Sequence, residues 1–490
     1  MCGICGQVSF TTDLSKYESQ FYNMQNKLYS RGPDRHGEFF SQNAVLMHRR
    51  LAVVDIEKGN QPMTYAVDGA VFTLCYNGEL YNTNEIRNTL ESRGYNFFSH
   101  SDTEVVLKAY VEYREKCVDM FNGIFAFAVW EHETRRLFVA RDRMGVKPLF
   151  YSMTKSGFVF ASEIKALLEH SEIEPVIDTR SLAEIMIIGP GRTPGCGVFK
   201  GISEIRPAHY AYYDETGLTI HRYWNVEAHE HSDSFEQTAE KVRYLVTDSI
   251  KRQLVSDVPL CTFLSGGLDS SLISSVTNGE FEKSGEVLHT FSVDYKDNEK
   301  YFKKSKFQPN SDPEFIRIME KYLGGVHHRI VIDTDELVNA LYCAVDARDL
   351  PGMADVDASM LLLCKAIKEQ GTVALSGECA DEIFGGYPWY RDKTIRSSEG
   401  FPWAQSTEYR MSFLNDEFAE KIDGSEYVYE RYKLTADSAP LYNKMNVDDM
   451  KTAQMMKLNL DWFMQTLLDR KDRMSMYSSL EVRVPFCDHR

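Results

Sequence analysis

The stretch Val258-Pro259-Leu260-Cys261-Thr262-Phe263-Leu264-Ser265-Gly266-Gly267-Leu268-Asp269-Ser270-Ser271 decides the fold of the C-terminal half. Val258–Leu264 is a short apolar run that reads as a strand, and Leu268–Val276 continues as a helix. The small residues between them let the backbone approach a polyphosphate, whose charge is attracted by successive N–H groups and by the helix N-terminus. The string is neither GxxxxGK[ST] nor GxGxxG, which disfavours a P-loop NTPase and a dinucleotide fold. A Gly-rich turn with a Ser/Asp cap is the plain alternative, but a cap does not require the whole string. A second strand-to-helix junction follows at Leu375-Ser376-Gly377-Glu378-Cys379-Ala380-Asp381-Glu382-Ile383-Phe384-Gly385-Gly386-Tyr387. Acids just past a strand end lie where an open α/β sheet places its ligands. The bland reading of those acids is complementation of a helix dipole.

Outward from these junctions, strand and helix patterns alternate. Val287–Val293, His328–Ile332 and Thr372–Leu375 read as strands; Glu240–Leu254, Asp312–Leu323, Ser359–Glu369 and a segment from about Ala380 read as helices. That alternation predicts a doubly wound parallel sheet covered on both faces. Upstream, residues 226–233 are polar and read as a linker. Residues 1–225 are β-rich, with runs at Ala44–Met47, Ala70–Tyr76, Ile124–Trp130, Leu137–Ala140 and Phe158–Ala161, and helical pattern around Thr103–Tyr113. The expected division is a first domain at 2–220, a linker at 221–236 and a second domain at 237–490. Residues 395–450 are aromatic, charged and helical in pattern, with no readable function.

The bulk numbers bound the class. A chain of 490 residues is too long for one ordinary core. It is 43% hydrophobic and 26% charged, the balance of a globular protein. Lys plus Arg is 55 against 72 for Asp plus Glu, a net charge of −17 that argues against a nucleic-acid binder. No signal peptide and no membrane span is evident. The ten scattered cysteines read as reduced thiols, which predicts the cytoplasm. Cys2 and Cys5 form one CxxC with no second pair for zinc.

A further site is predicted at Met1-Cys2-Gly3. Removal of Met1 leaves Cys2 with a thiol and an α-amine of pKa about 7.7–8.0, a nucleophile and its base on one residue. Arg31-Gly32-Pro33-Asp34 reads as a turn and His48-Arg49-Arg50-Leu51-Ala52-Val53-Val54-Asp55 as a strand. Asn77-Gly78 reads first as a type I′ hairpin turn. It can also present a side-chain amide and a backbone N–H to a developing oxyanion. Arg50 can clamp a carboxylate through paired hydrogen bonds, and Glu79 with Asp102 can hold an ammonium.

The ordered segments MCGICG, RGPD, HRRLAVVD, YNGELYN, SDTE and RDRMGVKPL resemble the class II glutamine amidotransferase domain, over roughly the first 220 residues. The resemblance implies an αββα sandwich of the N-terminal-nucleophile hydrolases, with Cys2 the nucleophile and Asn77 with Gly78 the oxyanion hole. Arg50, Glu79 and Asp102, with the backbone at Val53 and Val54, would bind glutamine. SGGLDSS resembles the pyrophosphate loop of ATP pyrophosphatases. Both halves together, with Ser479-Leu480-Glu481-Val482-Arg483-Val484-Pro485-Phe486, look like a glutamine-hydrolysing asparagine synthetase. By that resemblance Leu264, Ser265, Gly266, Gly267, Asp269, Ser270, Val293, Ser376 and Gly377 would contact ATP. Asp269 and Asp381 would hold Mg²⁺, and Glu378 would assist formation or breakdown of β-aspartyl-AMP. The implied partners are glutamine, aspartate and ATP, with no nucleic acid and no membrane; a homodimer is one assembly open to the chain.

The chain stops at Cys487-Asp488-His489-Arg490, inside a family motif. The resemblance implies a following segment with further helices and a lysine that stabilises pyrophosphate or acyl-adenylate charge. The expectation is therefore a truncated record of a longer protein, since Pro485-Phe486 has no following element to pack it. An amidotransferase acting on another carboxylate acceptor remains a rival, as does a glutaminase or sensing module with a silent synthetase half. A β-lactam synthetase relative fits less well, because Cys2 and the glutamine set are retained.

Overall fold

The computed structural model describes residues 1–490 other than 190, 305–311 and 405. Its first twelve strands are β1 Gly3–Val8, β2 Arg35–Phe40, β3 Ala44–Arg50, β4 Met63–Val67, β5 Ala70–Leu80, β6 Gly123–Glu131, β7 Arg136–Arg141, β8 Phe150–Thr154, β9 Gly157–Ala161, β10 Ile202–Glu204, β11 His209–Asp214 and β12 Gly217–Arg222. They build two six-stranded sheets, ordered β10-β8-β9-β1-β3-β2 and β12-β11-β7-β6-β5-β4, paired antiparallel throughout. Period-two alternation sorts their side chains between layers. In β6, Ala126, Ala128 and Trp130 join Ile4, Val8 and Leu46 in the core between the sheets. The intervening Phe125, Phe127 and Val129 face outward onto the helices Thr83–Ser92 and Asp102–Tyr113. Helix Glu18–Lys27 covers the outer face of the other sheet through Phe21 and Met24. Helix, sheet, sheet, helix is the predicted αββα sandwich.

After the polar connector, Ser234 and Gln237 form a capping box that starts helix Phe235–Arg252. Five strands follow: β13 Leu260–Phe263, β14 His289–Tyr295, β15 Val326–Ile332, β16 Val373–Leu375 and β17 Glu481–Arg483. All pair in parallel, in the order β15-β14-β13-β16-β17. The chain runs outward from β13 through β14 and β15, then returns to β16 on the other side of β13. The topological switch lies between β13 and β16, as a doubly wound sheet requires. Among the described residues no helix is long and apolar enough to cross a membrane.

Two expectations change. Asn77-Gly78 is not a hairpin turn; it lies inside the eleven-residue β5, opposite Ala126 and Phe125. A Cβ on Gly78 would fall 2.3 Å from the Ile124 carbonyl oxygen, so glycine here serves close strand approach rather than chain reversal. The HRRLAVVD strand ends at Arg50, and Asp55 turns the chain with φ 47°. At the end of the sequence, the Ser249 hydroxyl bonds the Pro485 carbonyl at 2.7 Å, and the Phe486 ring meets Phe384 edge-on.

Candidate active sites

The pairing of Gly3 with Arg49 draws Cys2 against the end of β3. Its N–H donates to Asn77 Oδ1 at 3.0 Å, and its carbonyl accepts from Arg31 Nε at 3.0 Å. Asn77 is fully buried, yet its Nδ2 has no partner. A buried amide donor normally finds an acceptor; here it has none, on a side chain bonded to the Cys2 backbone.

A second donor follows from the ladder. Phe125 turns its N–H and C=O toward Asp142, at 3.2 and 2.8 Å. Gly78 opposite it is therefore a non-bonded pair, with its N–H pointing away from β6. Tyr76 and Leu80 share that direction, and their N–H groups are taken by Gln61 Oε1 at 2.6 Å and Asp102 Oδ2 at 3.0 Å. The N–H of Gly78 lies between them, in the wall of the same pocket as Cys2.

Carboxylates crowd the pocket. Asp102 opens helix Asp102–Tyr113 and also accepts from the Tyr76 hydroxyl at 2.7 Å. Burial raises its pKa. Burial, with the charge of Asp102 beside it, pushes Glu79 well above the usual carboxylate range. Glu481, missed in the sequence, reaches in from β17 and accepts the Met1 ammonium at 2.6 Å. Arg483 holds Glu481 at 2.7 Å and approaches Glu79 at 3.7 Å. Burial pushes the Cys2 thiol up, although the terminal ammonium, a Leu51 backbone bond and Arg50 pull against it.

Arg50 differs from expectation in one respect. Its Nη atoms donate to the carbonyls of Ile56 at 2.9 Å, Asp55 at 2.7 Å and Val54 at 3.2 Å, fixing the 54–56 loop. A two-pronged Nη clamp is thus already engaged with backbone, and Nε–H is the donor left. Val53 and Val54 line the pocket, and the Val53 carbonyl accepts from the Asp257 N–H at 2.9 Å.

The second site sits at the switch point. Leu264 leaves β13, and its N–H bonds the Phe291 carbonyl of β14 at 2.7 Å, two residues before Val293. Ser265 N–H and Oγ both meet the Ser270 hydroxyl, at 3.2 and 3.0 Å, which folds the loop back on its helix. Gly266 takes φ 77°, and Gly267 caps helix Leu268–Ser284 without a side chain, leaving the first N–H groups open. From β16, Ser376 bonds the Arg483 carbonyl at 2.9 Å, and a Cβ on Gly377 would fall 3.2 Å from Asp269 Cβ.

The two loops bring Asp269 and Asp381 together. Burial raises both, and the charge of Asp381 raises Asp269 further. Two facing carboxylates are a hard-oxygen set that fits Mg²⁺, which leaves its other positions to water and phosphate. Glu378 pairs with Arg470 at 2.6 Å and Lys471 at 2.9 Å, both from helix Met464–Tyr477. Burial works to raise Glu378, but these two cations hold it below the usual range. Neither cation was singled out in the sequence, because ninety-odd residues separate them from Glu378.

Comparison with known proteins matches residues 1–224 to the glutamine amidotransferase domain and residues 241–490 to the asparagine synthase family. The chain is 52% identical to asparagine synthetase [glutamine-hydrolyzing] 3 of Bacillus subtilis, over all of this chain and 80% of that protein. It is 30% identical to asparagine synthetase [glutamine-hydrolyzing] 1 of the same organism, over all of this chain and 79% of that one. A putative asparagine synthetase 2 of Methanocaldococcus jannaschii is 30% identical over 99% of this chain and 100% of its own.

Proposed function

The chain belongs to the glutamine-hydrolysing asparagine synthetase family, and on that premise we propose that Cys2 takes nitrogen from glutamine for an aspartate activated at the ATP site. The reaction is the ATP-dependent amidation of L-aspartate to L-asparagine, that of a ligase (EC 6.3.5.4). We assign the glutaminase to residues 2–220 and the synthetase to 237–490, joined by 221–236.

Removal of Met1 makes Cys2 the terminus and uncovers Glu481. The freed amine accepts the thiol proton, and Sγ attacks the glutamine amide carbon. The amine returns the proton to the leaving ammonia, and water hydrolyses the glutamyl thioester to glutamate. Asn77 Nδ2 and Gly78 N–H hold the oxyanion, while Glu79 and Asp102 hold the α-ammonium. Arg50 Nε–H, with the backbone near Val53 and Val54, receives the α-carboxylate. The observation that carries this reading is the buried Asn77 amide, held by the Cys2 backbone N–H and with its Nδ2 unpartnered.

At the switch point, ATP lies along Leu264, Ser265, Gly266, Gly267, Asp269 and Ser270, with Val293, Ser376 and Gly377. Mg²⁺ held by Asp269 and Asp381 neutralises phosphate charge when bound. Aspartate attacks the α-phosphate to give β-aspartyl-AMP and pyrophosphate. Ammonia then attacks the acyl carbon; Glu378, kept ionised by Arg470 and Lys471, takes a proton from the nitrogen, and AMP leaves to give asparagine. One apolar cluster supports a dry route between the sites: it holds Met1, Leu51 and Val53 at one end and Cys379 and Ala380 at the other.

Replacing Cys2 by Ala removes glutamine as donor and leaves ammonia-dependent asparagine synthesis intact. Persistent glutamine use in that variant would sink the nucleophile assignment. Asp269→Asn stops aspartate-dependent pyrophosphate release while glutamate formation continues.

A further inference from the structure

A cavity of about 370 Å³ lies apart from both sites, where the first antiparallel half, the connector and the C-terminal helices meet. Its wall gathers basic side chains from distant parts of the chain. Arg206 and His209 lie before and on β11, and Arg222 ends β12. Arg143 comes from the turn after β7, and Arg431 and Lys457 come from helices Gly424–Asp437 and Val447–Leu458. Against these stands one lining carboxylate, Asp461, which pairs with Lys457 at 2.7 Å. Counting Lys and Arg, the described wall carries net +4 on a chain of net −17.

That charge is balanced only in part: Arg431 pairs with Glu430 at 3.4 Å, and Arg143 donates to the Phe121 and Asp119 carbonyls. Among the described residues, Arg143, Arg206 and Arg222 form no ion pair with a carboxylate. The Nε atoms of Arg143 and Arg431 are buried and unpartnered. Burial lowers the pKa of His209, and Arg222 and Arg206 repel its proton further, so the field at the ring is positive. Its Nδ1 bonds the Pro207 carbonyl at 2.7 Å, which leaves Nε2 for another partner. Like charges converging in a partly enclosed space repel unless an anion joins them.

We propose that this cavity is a binding site for a phosphate-bearing anion, separate from the ATP loop. Guanidinium forks suit phosphate oxygens, and the volume exceeds what a bare phosphate fills. Trp224 of the connector offers a flat face for the remainder of such a ligand. The π-helical turn Asn459–Phe463 supplies Leu460, Asp461 and Trp462 to the wall, a distortion frequent at functional sites. An anion here touches both halves and the connector at once, and so favours their docked arrangement.

The test is calorimetric titration of the full chain, without divalent cations, by inorganic phosphate, pyrophosphate and AMP in turn. At least one binds saturably, and the one that binds tightest identifies free phosphate, pyrophosphate or nucleotide as the source. The double variant Arg206→Ala/Arg222→Ala, at two exposed positions, weakens that binding by at least about tenfold and spares glutaminase turnover. The same anion raises the unfolding temperature of the wild type and not of the variant. Equal affinity in the two proteins, or no saturable binding of any of the three, overturns the proposal.

Discussion

Asn77 carries the largest share of the glutaminase reading, and its strand neighbours explain why. Its Oδ1 is held by the Cys2 N–H, which orients the amide and leaves the buried Nδ2 without a partner. Replacing it by Ala lowers glutamine hydrolysis by about 10²–10³-fold, the usual effect of losing one oxyanion donor. Ammonia-dependent synthesis in the same variant stays at the wild-type rate, which steady-state assays with the two nitrogen donors will check. The residue types at this site were legible in the sequence, because a terminal Cys and an Asn-Gly pair carry their chemistry locally. The orientation was not. Asn-Gly favours a hairpin turn in isolation, and only pairing with β6 holds it extended.

At the scale of the element, the proposed phosphate cradle after β13 depends on backbone shape. Gly266 sits at φ 77°, and a Cβ there would lie 2.9 Å from the Ile316 backbone nitrogen of helix Asp312–Leu323. Gly266→Ala therefore meets both left-handed strain, about 1–2 kcal/mol, and a backbone clash. Its expected outcome is a several-fold rise in KM for ATP, read from pyrophosphate release, with glutamine hydrolysis unaffected. Strand–loop–helix order was legible because apolar runs and Gly clusters have short range. Strand β17 was less so: three residues, Glu481–Arg483, become a strand only because β16 offers a parallel edge.

For the whole molecule, a buried ionic network ties the N-terminal half to helix Met464–Tyr477. Arg31 meets Asp472 at 2.7 Å and Glu163 at 3.0 Å, and Lys147 meets Asp472 at 2.8 Å. Lys165 joins Glu163 at 2.6 Å and Asp349 at 3.0 Å. Burial works to raise the carboxyl of Glu163, but Lys165, Arg473 and Arg31 bring it down to about 2. Arg31 and Lys147 likewise hold Asp472 well below its ordinary value against burial. Groups depressed in the folded state contribute stability that is fully present above their unfolded values, about 4–4.5. That contribution drains as pH falls toward about 2, so urea midpoints should drop steeply across this window. At neutral pH, Asp472→Asn leaves Arg31 and Lys147 buried without their shared counter-charge and costs about 3–5 kcal/mol, measurable as a lowered urea midpoint.

The amino-acid order alone determined the two chemistries and the two architectures, because a nucleophile, a phosphate loop and a hydrophobic period each depend on neighbours a few positions away. The tertiary structure alone decided that Glu481 enters the Cys2 pocket, that Arg470 and Lys471 grip Glu378, and that five basic side chains converge on one cavity. Those groups lie tens to hundreds of residues apart, and their electrostatic coupling exists only at the few ångströms to which folding brings them.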